Sequence, residues 1–557
     1  MEDHMGLKIT GCLKANYQKS ASWISKNWKI SLCILLMLIL VIHTFVFNIR
    51  MISVNMPYSC HTDERYIVES ALKILKTGDF NPHRFNYPSL PIYLAAASFT
   101  LGYMNAAANL QLKSTKDIEP DVYPYFKHPR IIWPAKILFT LFSALSVLFM
   151  ALIAYKLYKH PFLLFGIPLV ISLSMSYFRI SYNYLNVDTV GTFFIFLVYL
   201  HQVTYLKKNC FFHKVFIPGI LSGLVIACKY NLVWIIVPSI LIILFYSKEQ
   251  RTRKIISFIL IMFFTFILAV PFSVLDFSTF LDWIGYVIYM YKSGGAHHTS
   301  PPGLSQFVYH LGYFYRDYGF LLSVLAIFGL ITALLKDWRK GLILLSFPLI
   351  HLIYLSSYAI HYPRNVLALF GFFSIFAAIG IVRLYQLLCQ LFLELPFPGW
   401  PGVMKKTVVF LLLTVVLFFP VKTKLQRRLK IKPDSRNMAL KWITEHLEKK
   451  SNIIIPVELA MYVEPLKDDY NVLSWELTGL NNKSFYKKIN KVKNPIILMP
   501  VFRPHYEHQL IAKKKAAALN KIGKSLKIKK IFGRREAIIN SPRHFIGKDP
   551  KILIGTL

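Results

Sequence analysis

Acidic side chains are scarce in this chain. Twenty-seven Asp and Glu stand against 65 Lys and Arg, a formal net charge of +38, and charged residues of both signs make up only 17% of the 557 residues. That is too little charge to cover a soluble globule of this size, and it excludes the ordinary cytosolic classes. Cysteine is scarce too. Cys12, Cys33, Cys60, Cys210, Cys228 and Cys389 are scattered without metal-ligand spacing, so neither a disulfide framework nor a local zinc site is implied. There is no internal repeat, no low-complexity linker and no nucleic-acid recognition motif, which leaves nucleic acid out as a partner despite the positive charge.

Apolar sequence is what the chain has in abundance. Hydrophobic residues reach 55% and aromatics 15%, and the mean hydropathy is +0.46, as in a polytopic membrane protein. After Lys8, Lys14, Lys19, Lys26 and Lys29 comes an apolar run over 30–49, too long for a signal-peptide core and without a small-residue cleavage pattern, so it is expected to stay as an anchor. Ten further segments qualify as spans, near 131–155, 161–180, 187–206, 215–230, 231–247, 255–275, 318–335, 341–358, 365–387 and 407–421. The stretch 88–110, "PSLPIYLAAASFTLGYMNAAANL", is apolar but broken by Pro, Asn and small residues.

Positive charge sets the expected orientation. Basic clusters at the N-terminus, 156–160, 206–214, 247–254, 336–340 and 383–406 fall on every second loop only if 88–110 does not cross. The segment 88–110 is therefore read as a helix lying at the interface or dipping in and out. This parity predicts about 11 transmembrane helices in a multi-pass protein of the cytoplasmic membrane, with the N-terminus cytoplasmic and the C-terminus outside. Residues 1–421 form the membrane domain, with a first outward loop over 50–130, and 422–557 form a soluble C-terminal domain. In the latter, "PDSRNMALKWITEHLEKK" has helical spacing with Asp434 or Ser435 as its cap, and the runs at 452–457, 495–500 and 551–555 read as strands, a small α/β domain. From Val421 onward 30 Lys and Arg face 11 Asp and Glu, about half of the net charge, which suits membrane lipid headgroups or an anionic acceptor.

The same parity brings six separate segments to the outer face. The adjacent carboxylates Asp63 and Glu64 of "CHTDER" lead them, followed by Asp188, Lys229 with Tyr230, the 276–317 loop with His297 and His298, "HYPR" at 361–364, and the C-terminal domain. Each has a plain alternative. Asp63 and Glu64 could be a solvated face, Asp188 a helix cap, Lys229 a side chain reaching for headgroups, Arg364 an interfacial anchor, and the two histidines simply exposed. Together they fit one reaction. If a sugar is carried on a lipid phosphate, one carboxylate is needed as base for the attacking nucleophile. The phosphate leaving group needs no protonation, unlike the sugar oxygen of a glycosidase, and cations such as Lys229 and Arg364 would stabilise it instead.

In this light "HTDERYIVESALKILKTGDFNPHRFNYPSLPIYLAA", "DTVGTFF", "GLVIACKYNLVW", the Gly-His loop and "HYPRNVLALFGFFSIFAA" resemble, in order, the landmarks of the bacterial and archaeal branch of the protein O-mannosyltransferase and aminoarabinose-transferase family. The likeness runs over about 50–390, and "SRNMALKWITEHL" and "SPRHFIGKDPKILIG" are similar to that family's outward C-terminal domain. It implies a GT-C fold and a glycosyltransferase that moves a monosaccharide from a polyprenyl-phosphate donor to a glycolipid, glycan or protein acceptor. It also implies that Asp63 is the catalytic base, that Glu64 orients acceptor or base, that Asp188 is a second acidic residue of the pocket, and that Lys229, Arg364 and His298 line the lipid-phosphate site. Tyr87, Tyr230 and His361 flank these positions and complete the candidate substrate-binding set. The chain departs from the family in three places. "FNYPSLPIY" stands where aminoarabinose transferases have Glu-Lys-Pro-Pro, 276–317 is too short for a β-trefoil insertion, and Lys136 occupies a position that is commonly Arg. No cofactor is assigned. Asp63, Asp188 and His298 are the candidate ligands of a divalent cation, although they come from distant loops. A lipid-linked glycan transporter or flippase and an oligosaccharide ligase are the alternatives. A transporter predicts repeats and ionisable groups at span centres, whereas these candidates gather at one face.

Overall fold

The computed structural model of the protein describes residues 27–120, 126–294, 299–394, 401–412 except 403 and 405, 433–475, 483–504, 510–533, 535–539 and 550–556. Helix α1 (Trp28–Asn55) opens the membrane domain, and a short loop leads to α2 (Glu64–Thr77) and α3 (Leu90–Ala108). Next come α4 (Pro129–Tyr158), α5 (Phe162–Ile171), α6 (Met175–Asn183), α7 (Val187–Thr204), α8 (Ile217–Cys228), α9 (Ile236–Tyr246) and α10 (Arg251–Ala269). The domain closes with α11 (Phe277–Ser293), α12 (Leu304–Lys336), α13 (Trp338–Ser356) and α14 (Leu367–Glu394). Seven helical segments among the described residues are long and apolar enough to cross a bilayer: α1, α4, α7, α10, α12, α13 and Pro363–Leu393. The pair α5 and α6 adds an eighth if counted as one bent span. The predicted spans 215–230 and 231–247 are the shorter apolar segments Phe212–Cys228 and Tyr230–Tyr246, and most of 407–421 lies outside the described residues.

One expectation gains a bend and another is corrected. The apolar stretch expected to span at 161–180 is bent by 77° between α5 and α6. At the break Ser174 caps α6 by accepting the Tyr177 N–H, and the Asp317 carboxylate accepts from Ser174 Oγ at 2.6 Å and from the Ser176 N–H at 2.9 Å. Donors that a membrane helix end would leave unpaired are thereby met, which is the condition for breaking a helix in an apolar setting. The 276–317 segment is largely helical instead of an open loop, since α11 and the first half of α12 fill most of it. A break at Gly319 (φ 78°) divides α12 near the predicted start of its span. Beyond that break α12 and α14 pack backbone to backbone: a Cβ on Gly329 would run into the Phe376 carbonyl, and one on Gly380 into that of Leu325. Helix α3 is not among the spanning helices and lies against α2 and α4.

The C-terminal domain is an α/β unit with the elements expected of it. Helix α15 (Ser435–His446) precedes β1 (Asn452–Pro456), β2 (Asn471–Trp475), β3 (Ile496–Pro500) and β4 (Phe502–Pro504), then α16 (Leu510–Ser525), β5 (Lys527–Phe532), β6 (Ala537–Ile539) and β7 (Ile552–Thr556). The five-stranded sheet has the order β2-β1-β3-β7-β5, parallel across β2-β1-β3 and antiparallel across β3-β7-β5, with β4 and β6 paired apart from it. The runs at β1, β3 and β7 are apolar because both sheet faces are covered.

This domain grips the root of the loop between α1 and α2. Tyr58 sits in its hydrophobic core and donates its hydroxyl to Tyr462 O at 2.8 Å. Asp434 caps α15 and binds the Arg436 side chain through both oxygens, at 2.7 and 2.8 Å. The Arg436 guanidinium lies over the Tyr58 ring at 4.3 Å, and Asn437 donates to Met56 O at 3.0 Å. Five residues beyond Tyr58 the chain reaches Asp63.

Candidate active site

The "CHTDER" turn splits its two carboxylates. Asp63 stands at the N-terminal boundary of α2, but its side chain does not cap the helix. Its backbone N–H donates to His61 Nδ1 at 3.1 Å, and the His61 ring stacks on Tyr184 at 4.2 Å. The carboxylate is thus left to face Arg364, with Oδ2 2.6 Å from Nη1. Glu64 turns the other way, into the protein, and is fully buried. It pairs with Lys136 at 2.5 Å and accepts from Ser59 Oγ and the Leu185 N–H, both at 2.8 Å. Glu64 therefore points away from Asp63's cavity and ties the loop to α4 and to the segment before α7.

The second ion pair forms from two helix ends. Helix α8 stops at Cys228 because Lys229 is extended (φ −159°, ψ 124°), and the chain re-enters as a 3₁₀ turn over Tyr230–Ile235. Lys229 Nζ reaches Asp188 Oδ1 at 2.6 Å and Asn365 Oδ1 at 2.8 Å. Asp188 is not the helix cap: Asn186 does that work, accepting the Thr189 N–H at 2.8 Å, which leaves Asp188 in the first turn of α7 free to take the lysine. The two pairs meet through consecutive residues, Arg364 and Asn365, in the 3₁₀ turn Pro363–Val366. The Tyr362 ring supports the Arg364 guanidinium at 4.3 Å.

Asp63, Arg364 and Lys229 line a cavity of about 780 Å³ together with Tyr87 and Tyr230. The Tyr230 hydroxyl donates to Phe85 O at 3.2 Å and so holds the chain beside Tyr87. The wall opposite is α11, none of whose residues is buried, which presents Trp283 and Tyr291 to the cavity. Burial pushes the Asp63 carboxyl up, but the Arg364 guanidinium, with Lys229 and Arg65 behind it, outweighs burial and holds the group below the ordinary aspartate range. Asp63 is thus a carboxylate at neutral pH. Burial keeps the His61 imidazole neutral against the pull of Asp63, as the accepting role of its Nδ1 requires. Burial together with the Asp63 charge pushes the Tyr87 hydroxyl well above its usual range, so it stays a donor.

Asp188 does not line the cavity and stands one bond behind it through Lys229. His361 does not line the cavity; it is buried, stacked on Tyr309 at 3.6 Å and bonded through Nδ1 to Gln306 Oε1 at 2.8 Å. His297 and His298 lie outside the described residues. Among the described residues no group of three or more His, Cys, Asp or Glu converges as a metal site, and Asp63 and Asp188 each face a cation. Sequence reasoning missed Arg84, Asn365 and Trp283. Arg84 stands in "NPHRFNYP", an arginine among aromatic residues, and Trp283 in a segment read as loop whose apolar spacing is helical.

No family model matches the chain, and no curated protein does. Among solved structures it is similar to ArnT from Cupriavidus metallidurans, in the apo state (11% identity, TM-score 0.47) and bound to undecaprenyl phosphate (10%, TM-score 0.48), covering 93% of this chain and 97% of that one in both. It is also similar to the oligosaccharyltransferase of Archaeoglobus fulgidus tethered to an acceptor peptide, at 11% identity and a TM-score of 0.47 over 95% of this chain and 74% of that one. Likeness at this level leaves function to the geometry of the site.

Proposed function

We propose that the chain is a membrane glycosyltransferase that moves a monosaccharide from a polyprenyl-phosphate carrier to an acceptor hydroxyl or amine on the extracytoplasmic side, within a GT-C-like architecture. The observation that carries this reading is the Asp63–Arg364 pair, with Lys229 beside it, in one aromatic-lined cavity. Asp63 takes the proton of the acceptor nucleophile, the nucleophile bonds to the anomeric carbon, and the bond from that carbon to the phosphate oxygen breaks. Polyprenyl phosphate leaves with the electron pair, and a single displacement of this kind inverts the anomeric centre. Arg364 and Lys229 neutralise the leaving phosphate through charge-assisted hydrogen bonds. Glu64 has no proton to move in this scheme; its bonds to Lys136, Ser59 and Leu185 hold the loop that carries Asp63. A cavity of about 780 Å³ is within the usual range for one small ligand, about 300–1,000 Å³, and suits a single sugar phosphate.

A phosphate bound at Arg364 competes with Asp63 for the guanidinium. The same event that delivers the leaving group therefore weakens the interaction that depresses the base, and its own charge raises the Asp63 pKa further. The test supplies radiolabelled polyprenyl-phosphate sugars and an envelope extract as acceptor to membranes holding the wild type or Asp63→Asn. Transfer by the wild type and none by an inserted, folded Asp63→Asn supports the reading. Equal transfer by both removes Asp63 as base, and label that crosses the bilayer uncleaved makes the protein a transporter.

A further inference from the structure

The ion pairs of the cavity hold Arg364 and Lys229, but Arg84 is held in another way. Among the described residues it makes no ion pair. Its guanidinium lies 5.0 Å from the ring centre of Tyr66 and 5.8 Å from that of Trp283. Arg65 lies over the same Tyr66 ring at 4.8 Å, and all four side chains line the cavity that contains Asp63. An aromatic face orients a guanidinium without neutralising it, so the planar fork of N–H donors stays available to an anion. Arg65 in the lining of the same cavity adds to the positive potential that an entering anion meets. The segment carrying Arg84 is fixed on either side, by Asn81 Nδ2 donating to Asp276 Oδ2 at 2.9 Å and by Tyr230 donating to Phe85 O. Arg84 is thus set in place before any ligand arrives.

We propose that Arg84, with Arg65 beside it, forms a second anion subsite in the cavity, separate from Arg364 and Lys229, which takes a phosphate monoester carried by the acceptor. This rests on the transferase reading and narrows its acceptor to an anionic one. A phosphate held at Arg84 keeps a neighbouring hydroxyl of the same molecule within the cavity of Asp63, while the donor phosphate occupies Arg364.

The experiment uses the full-length protein in phosphatidylcholine nanodiscs, with and without saturating polyprenyl phosphate, and reads the fluorescence of Trp283 as the difference between wild type and Trp283→Phe. One arm titrates glycerol 1-phosphate, a soluble monoester; the other dopes the discs with phosphatidic acid, a lipid-borne one. A saturable response in either arm that persists with polyprenyl phosphate bound, and whose Kd rises about tenfold or more in Arg84→Gln, supports the subsite, and the arm that saturates at lower concentration gives the source of the phosphate. Arg84→Lys, which keeps the charge and loses the fork, is expected to fall between. No saturable response in either arm, an equal response in Arg84→Gln and wild type, or loss of the response when polyprenyl phosphate is bound overturns it. Should Arg84→Gln fail to fold, Arg65→Gln is scored by the same criterion. If polyprenyl phosphate itself does not bind, the transferase reading falls, while the titrations without it still decide the subsite.

Discussion

Lys136→Met is the substitution that most sharply separates the roles of the two adjacent carboxylates. Lys136 and Glu64 are both buried, at 3% and 0% exposure, with their charges 2.5 Å apart. At an effective dielectric constant of about 20 the attraction is about 7 kcal/mol, and it is offset by the cost of desolvating two ions, several kcal/mol each. The intact pair therefore contributes little net stability. Removing one partner is different, because among the described residues it leaves buried Glu64 with Ser59 and the Leu185 N–H as its partners. Lys136→Met is expected to lower unfolding stability by about 3–5 kcal/mol. Adding Glu64→Gln removes the stranded charge and is expected to recover most of the loss, a coupling a double-mutant cycle measures directly. Denaturant unfolding in detergent provides the stability scale. Polyprenyl-phosphate release in the same samples distinguishes the roles, since a positioning Glu64 predicts that activity returns together with stability in the double variant. A double variant no more stable than Lys136→Met, or a stable one without activity, refutes the assignment.

The other predictions concern the ion pairs, the cap and the domain junction. Arg364→Lys keeps charge but loses the planar fork facing Asp63, and is expected to cut kcat by about 10²–10³, as for loss of a transition-state donor, read as polyprenyl phosphate released per minute. The native Asp63 carboxyl lies below its ordinary value of 3.8, so its stabilising contribution is complete above pH 3.8 and is lost as pH falls through the lower native value. The acid limb of kcat/KM is accordingly expected below the ordinary aspartate range, that of kcat above it once phosphate holds Arg364, and Arg364→Gln is expected to move the free-enzyme limb upward in a pH–rate profile. Asn186→Ala removes the cap of α7 and is expected to cost about 1 kcal/mol, seen in thermal unfolding. Arg436→Met removes the two side-chain hydrogen bonds to the buried Asp434 and the guanidinium over Tyr58, and is expected to cost about 1.5–3 kcal/mol and to reduce transfer, because the Tyr58 stack fixes the loop that leads to Asp63.

Long apolar runs, the C-terminal strands β1, β3 and β7 and a helix cap at Asp434 or Ser435 were legible in the sequence because each depends on local pattern alone. The break between α5 and α6 was not, since Asp317, which makes it tolerable, comes from 141 positions away. Helix α11 was read as loop because its aromatic residues serve a cavity wall and no packed core. Asp63, Lys229 and Arg364 were singled out from separate segments and line one cavity in the structure, yet no pattern around Glu64 showed that it would turn inward. Adjacent residues at a helix start point in different directions, and only the fold shows which of them meets Lys136. Arg84 went unnoticed for the same reason: its partners are aromatic faces on distant segments.

The central claim is that Asp63 acts on a nucleophile while Arg364 and Lys229 receive a phosphate leaving group. The most direct test reconstitutes the purified protein in liposomes with a doubly labelled polyprenyl-phosphate sugar and an envelope acceptor, and counts both products. One polyprenyl phosphate released per sugar transferred, with both lost in a folded Asp63→Asn, is the expected result. Sugar and phosphate that move together across the bilayer without cleavage would contradict it.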